Sequence, residues 1–419
     1  MQRLLTAAAL SALLLTSALN ADWRQWRGPT NNGVAASAAP ERFSPTEGVK
    51  WRISIEGRGF STPIVVGERM FLTTAVPAGE NGAADAGGQK FLVIALDKNT
   101  GQVIWEQVAT TAAPHEGYHR QYGSFASNSP VTDGETVFVS FGSRGVYAYD
   151  LDGKLQWKKD LGPLQMRNAF GEGTAPVLYQ HYLVIQHDHE GDSYLVVLDK
   201  RTGEELWRAA RDEPSSWPQP LVVEYGGRPQ LITSSTRVRT YDLETGELVW
   251  ECGGLGGNAI PAVVQVNDEL IIAMTGWRQA NLLAIKLGGQ GDITGDPKYV
   301  RWTNDRGNSY TPSPVLHDGI FYMLTDTGML SALDAETGKP HYMQQRLPDI
   351  QKFKASPVAA DGKLYLAGES GLVTVVKMGK TYEVIAANNM GDEVFISSPV
   401  VVDGSLYLRS QDELFCIRD

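Results

Sequence analysis

The phrase TYDLETGELVW at residues 240–250 has near copies at ALDKNTGQVIW (95–105) and VLDKRTGEELW (197–207). A chain that repeats itself in this way folds as a stack of equivalent units, and that constrains this sequence more than its length or composition does. With its upstream neighbours the phrase closes a unit of about 40 to 50 residues. The unit reads S-P-V-V, then D-G, then L-Y-V, then a glycine-containing turn, then A-L-D-x-x-T-G-x-x-x-W. Short β-branched and aromatic runs alternating with turn residues predict four antiparallel strands joined by hairpins. In DLETGE the Asp242 carboxylate is placed to hold the turn's N–H groups, while Gly246 takes the positive φ of a bulged hairpin. Trp250 ends the outer strand as an apolar plate for the neighbouring unit.

The opening proline recurs at Pro63, Pro130, Pro176, Pro220, Pro261, Pro314, Pro357 and Pro399, which makes eight units. Proline lacks a ladder donor and suits an edge strand, here the innermost one lining a central channel. The closing position recurs only seven times, at Trp105, Trp157, Trp207, Trp250, Trp302, Tyr342 and Ile385. The last unit stops at LFCIRD after its third strand, while VKWRISI (49–55), with Trp51, stands alone before the first unit. The N-terminal strand therefore supplies the missing outer strand and closes the ring. The prediction is an all-β, eight-bladed β-propeller of four-stranded antiparallel blades over residues 49–419, with Trp51, Trp105, Trp157, Trp207, Trp250 and Trp302 packing the blades. Blade 5 carries an insertion, GGQGDITGDPKY, and Trp23 and Trp26 in the extension 22–48 are expected to pack on the ring.

The A-x-D-x-x-T-G-x-x-x-W phrase resembles the tryptophan-docking repeat of the quinoprotein (pyrroloquinoline-quinone-like) propeller superfamily. By that resemblance the superfamily holds both quinone-dependent alcohol dehydrogenases and non-catalytic scaffolds of the BamB type, so the fold alone leaves the function open. The dehydrogenases are implied to place adjacent cysteines over the quinone and to hold a calcium ion with carboxylate and amide side chains. Cys252 and Cys416 are not adjacent, and they belong to blades on opposite sides of the ring. No acidic base or quinone clamp falls on a matching position, and no P-loop, dinucleotide fingerprint or G-x-S-x-G elbow occurs. No catalytic residue is assigned.

Residues 1–21 read as a signal peptide. Arg3 precedes an apolar run from Leu4 to Leu15 and then small residues, with cleavage at Ala18 or Ala21. That run is too short to span a bilayer, so a soluble protein of the periplasm or the extracellular space is expected, without a transmembrane segment. The hydrophobic content of 42% and ten tryptophans allow a large core. A formal net charge of −11 argues against nucleic acid as a partner.

Ligands of propellers favour the face shared by the links between blades and the second-to-third-strand hairpins. The link into blade 2 offers His115, Tyr118, His119, Arg120, Tyr122 and Asn128, and the link into blade 3 offers Arg167, Asn168 and Glu172. The blade 3 hairpin reads HDHEGD, with His187, Asp188, His189, Glu190 and Asp192. Trp217, Asn258, Trp277, Arg278, Tyr310 and Lys354 come from blades 4 to 7. Arg58, Arg120, Arg144, Arg167, Arg237, Arg278, Arg306, Lys354 and Arg409 fall on this face across all eight blades, but their enrichment is slight and fits solvated charge. His187 and His189 with the nearby carboxylates have metal-ligand chemistry without a metal-ligand spacing, so no metal site is assigned.

These residues read as an exported, monomeric, non-catalytic binding or scaffold module without a cofactor. A protein, or a small anionic or carbohydrate ligand, is expected at the channel mouth. The alternative is a quinone-dependent oxidoreductase, for which pyrroloquinoline quinone and calcium would be the cofactors. A carbohydrate-binding propeller using Trp217, Trp277 and Tyr310 is the second alternative.

Overall fold

The computed structural model describes residues 22–79, 88–349 and 351–419. The leader at 1–21 lies outside the described residues. Eight antiparallel sheets form the ring, each running from an inner to an outer strand. Blade 1 consists of Ile64–Val66, Arg69–Pro77, Gln89–Asp97 and Val103–Ala112. Blade 3 consists of Val177–Tyr179, Tyr182–His187, Tyr194–Asp199 and Glu205–Ala210. Second strands such as Tyr182–His187 are buried along their whole length between neighbouring blades, whereas the outer strand Glu205–Ala210 alternates exposed and half-buried positions. Such burial explains the continuous apolar runs of the middle strands.

The tryptophans join blade to blade. The indole N–H groups of Trp51, Trp105, Trp157, Trp207 and Trp302 donate to the carbonyls of Lys98, Leu151, Lys200, Leu243 and Ala335 at 2.8 to 3.2 Å. Each acceptor lies beside the D-x-x-T-G turn, or its counterpart, in the next blade. The ring of each indole lies against that turn's glycine. A Cβ added at Gly101, Gly153, Gly203, Gly246 or Gly338 would fall 2.5 to 2.8 Å from the ring. The glycine is thus required twice, for its positive φ and for the approach of the indole. Asp242 does what its position implied, accepting hydrogen bonds from the N–H groups of Glu244 and Thr245.

The seam closes as expected. Val49–Ser54 pairs antiparallel with Glu413–Ile417, placing Trp51 opposite Cys416, and completes the sheet containing Ser405–Arg409 and Val400–Val402. The insertion of blade 5 has an unforeseen role, because Gly291–Asp292 adds a fifth, parallel strand to blade 4 and covers Trp250. Trp250 is fully buried, while Trp207 is only half-buried and so is not the wholly buried plate the repeat predicts. Cys252 and Cys416 are both buried and free.

Trp23 and Trp26 do pack on the ring, against the inner-strand ends of blades 1 and 8, and Trp23 shares a core cluster with Ile55 beside the closing strand. Trp23 is buried and bridges Val65 of the blade 1 inner strand, and the Trp26 indole N–H donates to Ser398 Oγ at 3.3 Å. The buried Arg27 guanidinium donates to the carbonyls of Pro314 and Pro357, and Val34 bridges Ala359 of blade 7. Burial pushes Arg27 down to about 9. The segment thereby crosses the channel end opposite the long links. It leaves a cavity of about 390 Å³ against the inner strands of blades 3 to 5. No helix among the described residues is long and apolar enough to cross a membrane.

Two outcomes follow from this architecture. Trp250→Ala should cost about 3 to 5 kcal/mol and the half-exposed Trp207→Ala about 2 kcal/mol in urea unfolding, because the cost tracks the buried volume lost. Removing residues 22–55 opens the seam and exposes two sheet edges, so the truncated protein should aggregate or melt far below the full chain. An unchanged melting curve would rule out closure by this strand.

Candidate ligand and partner surface at the channel mouth

The links entering blades 2 and 3 are long and rich in glycine, serine and aromatic residues, and they fold over the mouth and over each other. The His119 N–H donates to the Phe170 carbonyl at 3.0 Å, tying the two links together. Tyr122 stacks on His119 with ring centroids 3.7 Å apart, and Lys354 from blade 7 places its Nζ 4.6 Å from the Tyr122 ring centroid. The same Nζ lies 2.5 Å from Asp326 Oδ2, and Asp326 also accepts from the Thr311 N–H and hydroxyl at 2.8 Å each. Burial, and then the charge of Lys354, holds the His119 imidazole below its ordinary value. This network brings His119, Tyr122 and Lys354 together across the ring.

A second group comes from blades 3 to 6. Arg167 Nη1 donates to Asn258 Oδ1 at 3.0 Å, and its Nε lies 3.9 Å from Glu190. Trp277 stacks on Tyr310 with centroids 5.1 Å apart and planes 29° from parallel. Arg278 lies 5.8 Å from the Trp277 ring, and Trp277 keeps 42% of its surface exposed. Burial pushes the Tyr310 phenol up. Asn168, Asn258 and Arg278 hold left-handed backbone conformations, with φ of 51°, 57° and 54°. Asn168 and Arg120 are exposed.

Several predicted site residues instead hold the scaffold. Arg58 donates to the carbonyls of Gly123, Arg120 and Gln121 and lies against the Phe60 and Tyr118 rings, so it fastens the first link. Asn128 Nδ2 donates to the Thr174 carbonyl, and the Trp217 indole N–H donates to the Gly171 carbonyl. Arg409 is buried on Ser61 and Thr73 and is not solvated charge. Arg237 is paired with Glu251 and Asp292.

The blade 3 hairpin is likewise absorbed. His187 is buried and does not reach the mouth. Its Nδ1 lies 2.7 Å from the Tyr194 hydroxyl, which gives its own proton to the Leu161 carbonyl, so Nδ1 is the donor. Asp188 forms a fully buried ion pair with Arg211 at 2.7 Å and also accepts from Gln186 and Ser216. His189 Nδ1 accepts the Gln165 and Gly191 N–H groups, and Glu190 accepts the Ser215 N–H. Asp188, His189 and Glu190 thus tie the hairpin to the adjoining links, while His187 is held within blade 3 by Tyr194. Arg211 was invisible to sequence reading because its only signal is a position on the outer-strand end that meets Asp188 across the blade.

Glu116, which sequence reading passed over, joins His115 and Glu172 around a small cavity that Arg144 also lines. Its one sequence signal was adjacency to His115. Burial raises the carboxyls of both Glu116 and Glu172.

The sequence model of the family described as outer membrane protein assembly factor BamB matches residues 43–121, 89–340 and 291–419. Outer membrane protein assembly factor BamB of Yersinia pestis is 24% identical over 300 residues, 71% of this chain. The chain spans about 60% of the length of that curated relative. Among solved structures, BamB from Moraxella catarrhalis superposes with a TM-score of 0.58 at 12% identity, covering 88% of this chain and 99% of that one. A quinohemoprotein alcohol dehydrogenase from Pseudomonas putida HK5 gives a TM-score of 0.65 at 13% identity, over 95% of this chain and 80% of its own. A europium-containing methanol dehydrogenase gives 0.62 at 13% identity, over 93% and 89%. At these identities the superpositions show the fold alone.

The buried histidine makes a pH prediction. Burial first, then the charges of His189 and Arg208, pushes His187 from 6.5 down to about 3. The unfolded chain therefore binds the extra proton between those values. This contribution is complete above pH 6.5 and is lost as the pH falls, at up to about 1.4 kcal/mol per pH unit. His187→Gln should flatten the acid limb of stability against pH by that slope. Parallel limbs for the two proteins would contradict a buried neutral imidazole.

Proposed function

The chain belongs to the family of the outer membrane protein assembly factor BamB, and from that membership we propose that it is an exported, non-catalytic scaffold that binds a protein partner at its channel mouth. The observation that carries this reading is the Trp277–Tyr310 stack. It is the exposed aromatic feature of a mouth whose other polar side chains are largely engaged with one another. Tryptophan, tyrosine and arginine dominate the energetics of protein interfaces, and the solvent-facing Arg278 flanks this stack. Export rests on the leader read in residues 1–21. A single copy suffices for the ring, because its own strand closes the seam.

The quinone-dependent oxidoreductase is the second reading, because the two dehydrogenases share this fold. The residues present do not fit the cofactor. Adjacent cysteines are lacking, and Cys252 and Cys416 are buried in separate blades. At the mouth, Asp326 is engaged by Lys354 and Thr311, and Glu190 by Ser215.

Trp277→Ala with Arg278→Ala should leave stability within about 1 kcal/mol, since both side chains lie outside the blade packing. It should abolish crosslinked capture of the partners that the wild-type protein retrieves from the exported fraction of its source cells. Capture of the same partners by the double mutant would move the site away from the mouth. A stoichiometric quinone absorption band with dye reduction, after adding pyrroloquinoline quinone and calcium, would replace this reading with the second.

A further inference from the structure

His115 and Glu116 come from the link into blade 2 and Glu172 from the link into blade 3, and neither the blade packing nor the aromatic stack uses them. One ligand atom from each lies within 4.8 Å of the others. They border a cavity of about 30 Å³ walled by Phe91, Phe125 and Phe141. That is room for one water or one ion, which needs about 10 to 15 Å³ on this measure.

The three side chains are already held by outer partners. The His115 Nε2 contacts the Leu164 carbonyl, which can only accept, so Nε2 carries the proton and Nδ1 keeps its lone pair. A ligating imidazole is oriented in this manner, with its other ring N–H on a carbonyl. The Glu172 carboxylate accepts the Ser143 N–H at 2.8 Å and the Ser143 hydroxyl, and Glu116 accepts the Met166 N–H at 3.1 Å. Among the described residues neither glutamate has a lysine or arginine within ion-pair distance. Arg144 lines the same cavity but sends Nη2 to the Ala113 carbonyl, and its Nε is buried without an acceptor. Two carboxylates thus share a recess walled in part by aromatic rings and have no ion pair of their own, an arrangement that a cation relieves.

We propose that His115, Glu116 and Glu172 form a binding site for one divalent transition-metal cation, with zinc the best match, that clasps the link into blade 2 onto the link into blade 3. An imidazole nitrogen combined with two carboxylates suits zinc, whereas calcium prefers an all-oxygen shell. Three protein ligands leave one zinc position for a water in the cavity. The site is independent of the partner reading, because Trp277 and Arg278 contribute nothing to it.

The test is calorimetric titration of chelator-treated, tag-free protein with zinc, and separately with calcium. One equivalent of zinc should bind more tightly than calcium and raise the melting temperature. His115→Ala and Glu116→Gln should each weaken zinc by about 100-fold or more, beyond the usual cost of losing an outer partner alone. Arg144→Ala removes a competing cation and should tighten zinc. If Arg144 is instead the intended counter-charge, that variant will lose stability without gaining affinity for zinc, and the proposal fails. It fails equally if zinc does not bind stoichiometrically, or if binding is unchanged in both ligand variants. Partner capture by the Glu116→Gln protein should remain intact, so loss of metal and loss of partner are read separately.

Discussion

The ring depends on one contact repeated from blade to blade, an indole laid on a glycine with its N–H on the adjacent carbonyl. It joins a large apolar area to a directional bond, so the next blade is held both in distance and in rotation. The acceptor carbonyl lies beside the aspartate-held turn, which explains why aspartate, glycine and tryptophan recur together. Trp250 is the informative exception. Its N–H has no acceptor, and the inserted strand Gly291–Asp292 compensates by burying the ring completely. Between blades 6 and 7, Tyr342 meets Tyr382 edge-on in place of an indole.

Closure imposes a second constraint. A ring of sheets has a seam, and here an N-terminal strand fills it while the residues just before that strand cross one end of the channel. Arg27 is bound there by carbonyl groups alone, at the ends of inner strands that the prolines leave without donors. The outcome is asymmetric. One channel end is partly blocked by the chain's own backbone, and the other is roofed by the links into blades 2 and 3.

That asymmetry bears on function. The side chains that looked most reactive are mostly joints: Asp188 to Arg211, His189 to Gln165, Arg58 to the first link. Buried polar groups must be satisfied, and a long link that folds over a propeller brings such groups with it. What remains for a partner is aromatic and cationic, around Trp277, and what remains for a cation is the small recess between the two links.

The fold was legible in the sequence because its determinants are local and periodic. Eight prolines, the recurring aspartate–glycine–tryptophan phrase and the unpaired VKWRISI strand specify blade number and closure without reference to distant contacts. The site was less legible because links carry no period. Whether His187 faced solvent or the blade 2 interface depended on Tyr194 and Leu161, which only the folded chain brings to it. Nor could the adjacency of Glu116 and Glu172 be read from positions 56 residues apart on different links. Local backbone and packing preferences, summed over eight repeats, determined the ring. Tertiary structure decided the state of each polar side chain, because burial and hydrogen-bond partners are properties of neighbours that only folding supplies.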